Sequence, residues 1–161
     1  MAAYQFQTVW RLEAPIAAVW DALADLEGAS WWPGLALTVL VRGDRRGVGD
    51  VVRYDLRTQL PYTLSFMAIV TALERPHRIV LQVGGDLVGS GRWDLEQDGR
   101  VTRATYLWAV RTTKRWMNLL APALRPAFAW NHHRVMSAGA RGLAQHLDVR
   151  LVEATATVSG R

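Results

Sequence analysis

From Tyr4 to Leu12 the chain alternates Tyr4, Phe6, Thr8, Trp10 and Leu12 against Gln5, Gln7, Val9 and Arg11. That is the period of a half-buried strand, with the first set facing inward. Pro15 suits the first turn of a helix, where its missing N–H costs nothing. Ile16, Val19, Trp20, Leu23 and Leu26 then recur at spacings of three and four and make one apolar stripe, and Gly28 is expected to stop the helix. Ser30 to Gly34 reads as a helical turn or a tight loop. Period two resumes at Leu35–Val41 and, after Gly43, Gly47 and Gly49, at Val51–Arg57, which sets Val52, Tyr54 and Leu56 inward against Arg53, Asp55 and Arg57.

The alternation continues as a meander through Tyr62–Leu73, Arg78–Val83, Asp86–Gln97 and Arg100–Val110. Asp98-Gly99 suits a primed hairpin turn with both central residues at positive φ. Leu87, Gly89, Gly91, Trp93 and Leu95 form the uncharged face of one strand; Thr102, Ala104, Tyr106, Trp108 and Val110 form that of the next. Gly84, Gly85, Gly89 and Gly91 mark bends in a sheet that curls.

Helical spacing returns afterwards. Thr112 or Thr113 is placed to cap a short helix carrying Trp116, Leu119 and Leu120. A longer helix runs from about Pro122 to Leu147, and at about 1.5 Å per residue it is long enough to cross the whole domain. Leu124, Phe128, Asn131, Val135, Ala138, Gly139, Gly142 and His146 share one side of it, with His132 and Leu143 on the shoulder and His133 opposite. Small residues in its C-terminal half allow the sheet to approach closely. The pattern predicts an α+β fold: a curved seven-stranded antiparallel sheet around a long C-terminal helix, with short helices after strand one. Residues 1–150 form a single domain, and residues 151–161, without a clear period, are expected to be a flexible tail.

A chain of 161 residues fits one domain. The absence of cysteine excludes disulfides, thiol catalysis and Cys-type metal sites. Lys and Arg outnumber Asp and Glu by 19 to 14, and Arg111 to Leu147 contains no acidic residue. That stretch predicts a positive field, which favours an anionic ligand or a weak contact with an anionic membrane surface. No nucleic-acid module is legible, so no nucleic-acid partner is expected. No apolar run approaches a membrane span, and a cytoplasmic monomer or homodimer without integral membrane contact is the expectation.

Motifs with chemistry are scarce. His132-His133 is not HExxH and its side chains diverge by about 100°, so no metal is expected. GxSxG, paired carboxylates and GxGxxG are lacking, so no catalytic residue and no cofactor is assigned. The aromatic residues carry the signal instead. Trp10, Tyr54, Phe66, Trp93, Tyr106 and Trp108 fall on inward faces of different strands, while Trp32 and Phe128 approach from the loop and the helix. Packed tightly, they are core; held off by the helix, they line an apolar cavity with Tyr54 and Tyr106 hydroxyls as polar handles. Asn131 lies in the buried stripe and Arg134 flanks it, completing a set of ten expected ligand-binding residues. A void above roughly 300 Å³ would favour the ligand reading.

The element order, with Leu12-Glu13-Ala14-Pro15 entering the first helix, resembles the helix-grip (SRPBCC) superfamily of START-like and Bet v 1-like proteins. Trp31-Trp32-Pro33-Gly34, Gly89-Ser90-Gly91-Arg92-Trp93 and Trp130 to Met136 look most like its polyketide cyclase/dehydrase-like branch, and the likeness covers residues 4–147. The resemblance implies a cavity between sheet and helix for a hydrophobic molecule, lipid-like or aromatic and polyketide-like. Binding of such a molecule is the first expectation. A cyclase or dehydratase performing an intramolecular aldol step is the alternative, and a structural or protein-interaction module with a collapsed cavity is a further one. The resemblance carries no catalytic set onto these residues.

Overall fold

Inward apolar alternation builds one antiparallel sheet in the computed structural model, which describes residues 3–58 and 63–159. The chain runs β1 (Ala3–Leu12), α1 (Ile16–Ala24), a 3-10 turn at Ala29–Trp31, β2 (Leu35–Val41), β3 (Val51–Arg57), β4 (Thr63–Glu74), β5 (Arg78–Gly85), β6 (Leu87–Asp98) and β7 (Val101–Thr112). It continues through α2 (Arg115–Leu119), α3 (Ala121–Leu147) and β8 (Leu151–Ser159). The strand order is β2-β3-β4-β5-β6-β7-β1-β8. Tyr62, expected at the head of the fourth strand, lies outside the described residues.

The sheet therefore has eight strands, and the expectation of seven fails at the C-terminus. Residues 151–159 form β8, which pairs antiparallel with β1 from Leu12↔Leu151 to Gln5↔Ser159. This part of the expected flexible tail is an edge strand, and Leu151 and Ala154 pack against the core. Its pairing closes β1 on its second side, so β1 is an interior strand between β7 and β8.

Smaller corrections follow from local hydrogen bonds. Helix α1 ends at Ala24, because the Asp25 carboxylate accepts the N–H groups of Glu27 and Gly28 and turns the chain before Gly28 is reached. The β6–β7 hairpin turns on Gly99-Arg100, since Asp98 pairs with Val101, and only Gly99 has a positive φ, 59°. Neither threonine caps α2. Thr112 donates to Asn118 Oδ1 at 2.6 Å and Thr113 to the Gly85 carbonyl at 3.0 Å, which leaves Lys114 at the cap position, with no side-chain bond to the helix end and its ammonium paired with Asp86 at 2.8 Å.

Helix α3, about 40 Å long at 1.5 Å per residue, lies across the concave face. Its buried residues include Asn131, Met136, Gly139, Ala140, Gly142, Leu143 and Ala144, so the arc is wider than the expected stripe and rotated from it; His146 is exposed. The cause is a second contact. A side chain at Gly139 would collide with the Trp32 ring, and one at Gly142 with the Trp31 carbonyl. The small residues thus admit the Trp31-Trp32 turn, where the sequence had predicted close approach of the sheet. Trp32 fixes the contact by donating its indole N–H to the Val135 carbonyl at 3.1 Å.

Candidate ligand site

With α3 bound to the Trp31-Trp32 turn through Val135, a cavity of about 180 Å³ remains between helix and sheet. That falls short of the roughly 300 Å³ at which small-molecule sites usually begin, but exceeds the ~150 Å³ of an engineered apolar cavity that takes benzene. A one-ring ligand, or one ring of a larger ligand, is the scale this volume fits. The wall is built from β1 (Tyr4, Phe6), the end of α1 (Leu23) and the turn after it (Leu26), β2 (Leu35, Leu37), the paired strands β3 to β7, and the α3 residues Phe128, Asn131, His132, Val135 and Met136. No Asp, Glu, Lys or Arg lines it among the described residues.

Of the ten expected site residues, Trp32, Tyr54, Phe66, Trp93, Tyr106, Trp108, Phe128 and Asn131 surround this cavity. Their rings are fixed by one another. Tyr54 stacks on Phe66 at 5.1 Å between centroids, Phe66 meets Trp108 at 5.5 Å, and Tyr106 lies 4.6 Å from Trp93 and 5.8 Å from Trp108. The other two residues lie elsewhere. Trp10 is fully buried in the core, 5.3 Å from the Trp32 ring and 4.8 Å from Trp93, and takes no part in the wall. Arg134 is exposed on the outer side of α3, with its guanidinium 5.5 Å from the Trp130 ring centroid.

His132 is the polar wall residue that facing arguments missed. Its ring stacks on Phe6 at 4.2 Å, and its Nε2 lies 3.4 Å from Thr8 Oγ1. Burial, with a smaller contribution from neighbouring His133, pushes its pKa down from 6.5 to about 4, so the imidazole is neutral near pH 7. The signal was present in the sequence: Phe128, His132 and Met136 recur every four residues, which puts all three on one helix face. Burial also pushes the Tyr54 hydroxyl up to about 12 and Tyr106 well above 10, with Tyr54 adding to the rise at Tyr106. These phenols are hydrogen-bond donors and not bases at neutral pH.

Two buried polar atoms, Tyr4 OH and Trp10 Nε1, have no hydrogen-bond partner among the described residues. Leaving each unpaired costs about 1–3 kcal/mol, which the surrounding aromatic packing must offset. Among the described residues no group of three or more His, Asp or Glu side chains is placed to hold a metal ion, and no helix is long and apolar enough to cross a membrane.

Comparison with solved structures shows the same architecture. The ZhuI aromatase/cyclase from a Streptomyces species superposes with a TM-score of 0.73 at 18% identity, over 91% of this chain and 94% of that one. The di-domain aromatase/cyclase BexL of the BE-7585A biosynthetic pathway gives 0.71 at 18% identity, over 92% of this chain and 51% of that one. A START superfamily protein from Mycobacterium smegmatis gives 0.68 at 13% identity, over 90% and 97%. A search of curated proteins finds no match to the chain. The fold is the helix grip, and the family described as "Polyketide cyclase / dehydrase and lipid transport" matches residues 4–148, nearly the whole described chain, so the protein belongs to that family.

Proposed function

We propose that the protein acts as a cyclase or dehydratase on a small, apolar, polyketide-like molecule held in the cavity between α3 and the sheet. The observation that carries this reading is the wall itself: stacked aromatic faces interrupted by neutral polar groups, the Tyr54 and Tyr106 hydroxyls and the His132 imidazole, with no Asp, Glu, Lys or Arg among the described residues. The two aromatase/cyclases of like fold and the family's description support the same choice.

Such a site works mainly by confinement. An intramolecular aldol step needs a methyl or methylene carbon brought against a distant carbonyl, and enforced proximity can supply several kcal/mol of the barrier. Phenolic donors stabilise the enolate oxygen as charge develops. A neutral imidazole accepts the carbon-bound proton and, being a weak base here, returns it readily as hydroxide leaves and water forms.

The test uses heptane-2,4,6-trione. Bond formation between C7 and C2, with loss of the C2 oxygen as water, yields the one-ring product orcinol. The reading predicts faster orcinol formation than in buffer, and slower formation by the Tyr54→Phe variant. Triketone binding without any acceleration would favour the second reading, plain binding or carriage of an apolar molecule. One observation favours that alternative: among the described residues no group in the wall is a strong base at pH 7.

We also propose weak contact with anionic membranes through α2 and the start of α3. There Leu119, Leu120 and Trp116 are exposed beside Lys114, Arg115 and Arg125. Met117 of the same helix lines the cavity, so the contact would lie at its rim.

A further inference from the structure

Tyr54 and Tyr106 share an unusual combination of properties. Both rings lie deep enough that burial raises their pKa values strongly, yet both residues keep accessible surface, and both line the cavity. That accessible surface is therefore cavity wall. Neither hydroxyl has a hydrogen-bond partner among the described residues, and neither is sealed off as the Tyr4 hydroxyl is. Each ring is held by stacking, Tyr54 on Phe66 within 7° of parallel and Tyr106 on Trp93 and Trp108.

Gly91 adds an independent observation. A Cβ there would lie 2.7 Å from the Tyr106 hydroxyl and 3.0 Å from the Trp108 ring. The missing side chain on β6 leaves the space that this hydroxyl occupies. The two phenols also sense each other, since ionisation of one hinders that of the other. A donor in an apolar space without a partner is costly unless a ligand or solvent oxygen supplies one.

We infer that Tyr54 and Tyr106 are the specificity-determining donors of the cavity, and that they select an uncharged ligand bearing a carbonyl-type acceptor oxygen and reject a carboxylate of the same shape. Rejection follows because, among the described residues, no Lys or Arg lines the cavity to neutralise an anion taken out of water. The positive field of the 111–147 segment does not reach inside as a paired cation. The inference rests on the cavity reading proposed above and narrows it to neutral ketones, excluding fatty-acid-like ligands.

Three one-ring probes of nearly equal shape separate the terms: acetophenone (acceptor), cumene (hydrocarbon) and benzoate (anion). Titration calorimetry on the wild type, Tyr54→Phe and Tyr106→Phe should show acetophenone weakened roughly threefold to tenfold by each substitution, the range for one neutral hydrogen bond. Cumene affinity should be unchanged or slightly improved, which also reports that the variants are folded. Benzoate should bind the wild type at least roughly a hundredfold more weakly than acetophenone. Parallel changes for acetophenone and cumene, or benzoate binding as tightly as acetophenone, would overturn the inference alone. Failure of both neutral probes to bind the wild type would overturn it together with the cavity reading.

Discussion

Acidification should destabilise the protein through one identifiable group, His132. Its imidazole, carried on α3 and buried against Phe6 of β1, titrates at about 4 in the folded chain against 6.5 for an ordinary histidine. Because the folded value is the lower one, the unfolded chain takes up the proton first as pH falls. Stability is complete above about pH 6.5 and is lost progressively as pH drops toward 4, with a slope of one proton. A gap of about 2.5 pH units at ~1.4 kcal/mol each sets a ceiling of about 3 kcal/mol, of which roughly 2 kcal/mol is lost between pH 7 and pH 4.5. Carboxylates also titrate in this range, so the measurement must be a difference. Urea unfolding of the wild type and of His132→Gln at pH 7, 6, 5 and 4.5 supplies it, since Gln keeps a polar group but cannot titrate. The wild type's stability relative to the variant should fall by roughly 2 kcal/mol across the series. A difference that stays flat with pH would refute the reasoning and place His132 in contact with solvent.

Gly139→Ala should lower the melting temperature by roughly 3–8 °C, because overpacking against the clamped Trp32 ring outweighs the ~1 kcal/mol that alanine adds to a helix. A melting temperature that rises would show the glycine to be open to solvent. Deleting residues 151–161 should cost more than 5 °C and bare the outer edge of β1, whereas a loose tail could be removed without effect. Vesicles rich in anionic lipid should sediment the protein while neutral vesicles do not, and Arg115→Glu with Leu119→Glu should abolish the difference. Equal sedimentation with both vesicle types would remove the charge argument.

Strands β1 to β7 were legible because each is wet on one face and dry on the other, so the period of two survives in the sequence. Met67 and Ile69 on β4 tested that rule, and both proved exposed, with Phe66, Ala68 and Val70 turned inward. β8 was missed for the opposite reason. It is an edge strand of small residues, Ala154 to Thr157, and its pairing with β1 comes from the far end of the chain. Thr155, Thr157, Val152 and Val158 were the available β-propensity signal. On α3 a single-stripe projection misplaced the buried arc, because the helix is gripped from two sides. Trp31 and Trp32 sit on Gly139 and Gly142, while Met136 and Ala140 are buried in the core, the former also lining the cavity. The same projection left His132 on the shoulder. For Trp10, an inward direction was correct, but direction alone does not separate a core ring from a cavity ring; that depends on the position of α3, which is a tertiary fact.

The claim beneath all of this is that an apolar molecule enters between α3 and the sheet, and the chain's methionines report on it directly. Met117 and Met136 line the cavity, whereas Met67 is exposed on the outer face of β4. In protein labelled with 13C at the methionine methyls, titration with cumene should shift the Met117 and Met136 signals together and saturably while Met67 stays in place. Signals that do not move, or a Met67 shift that tracks the other two, would contradict an internal binding site.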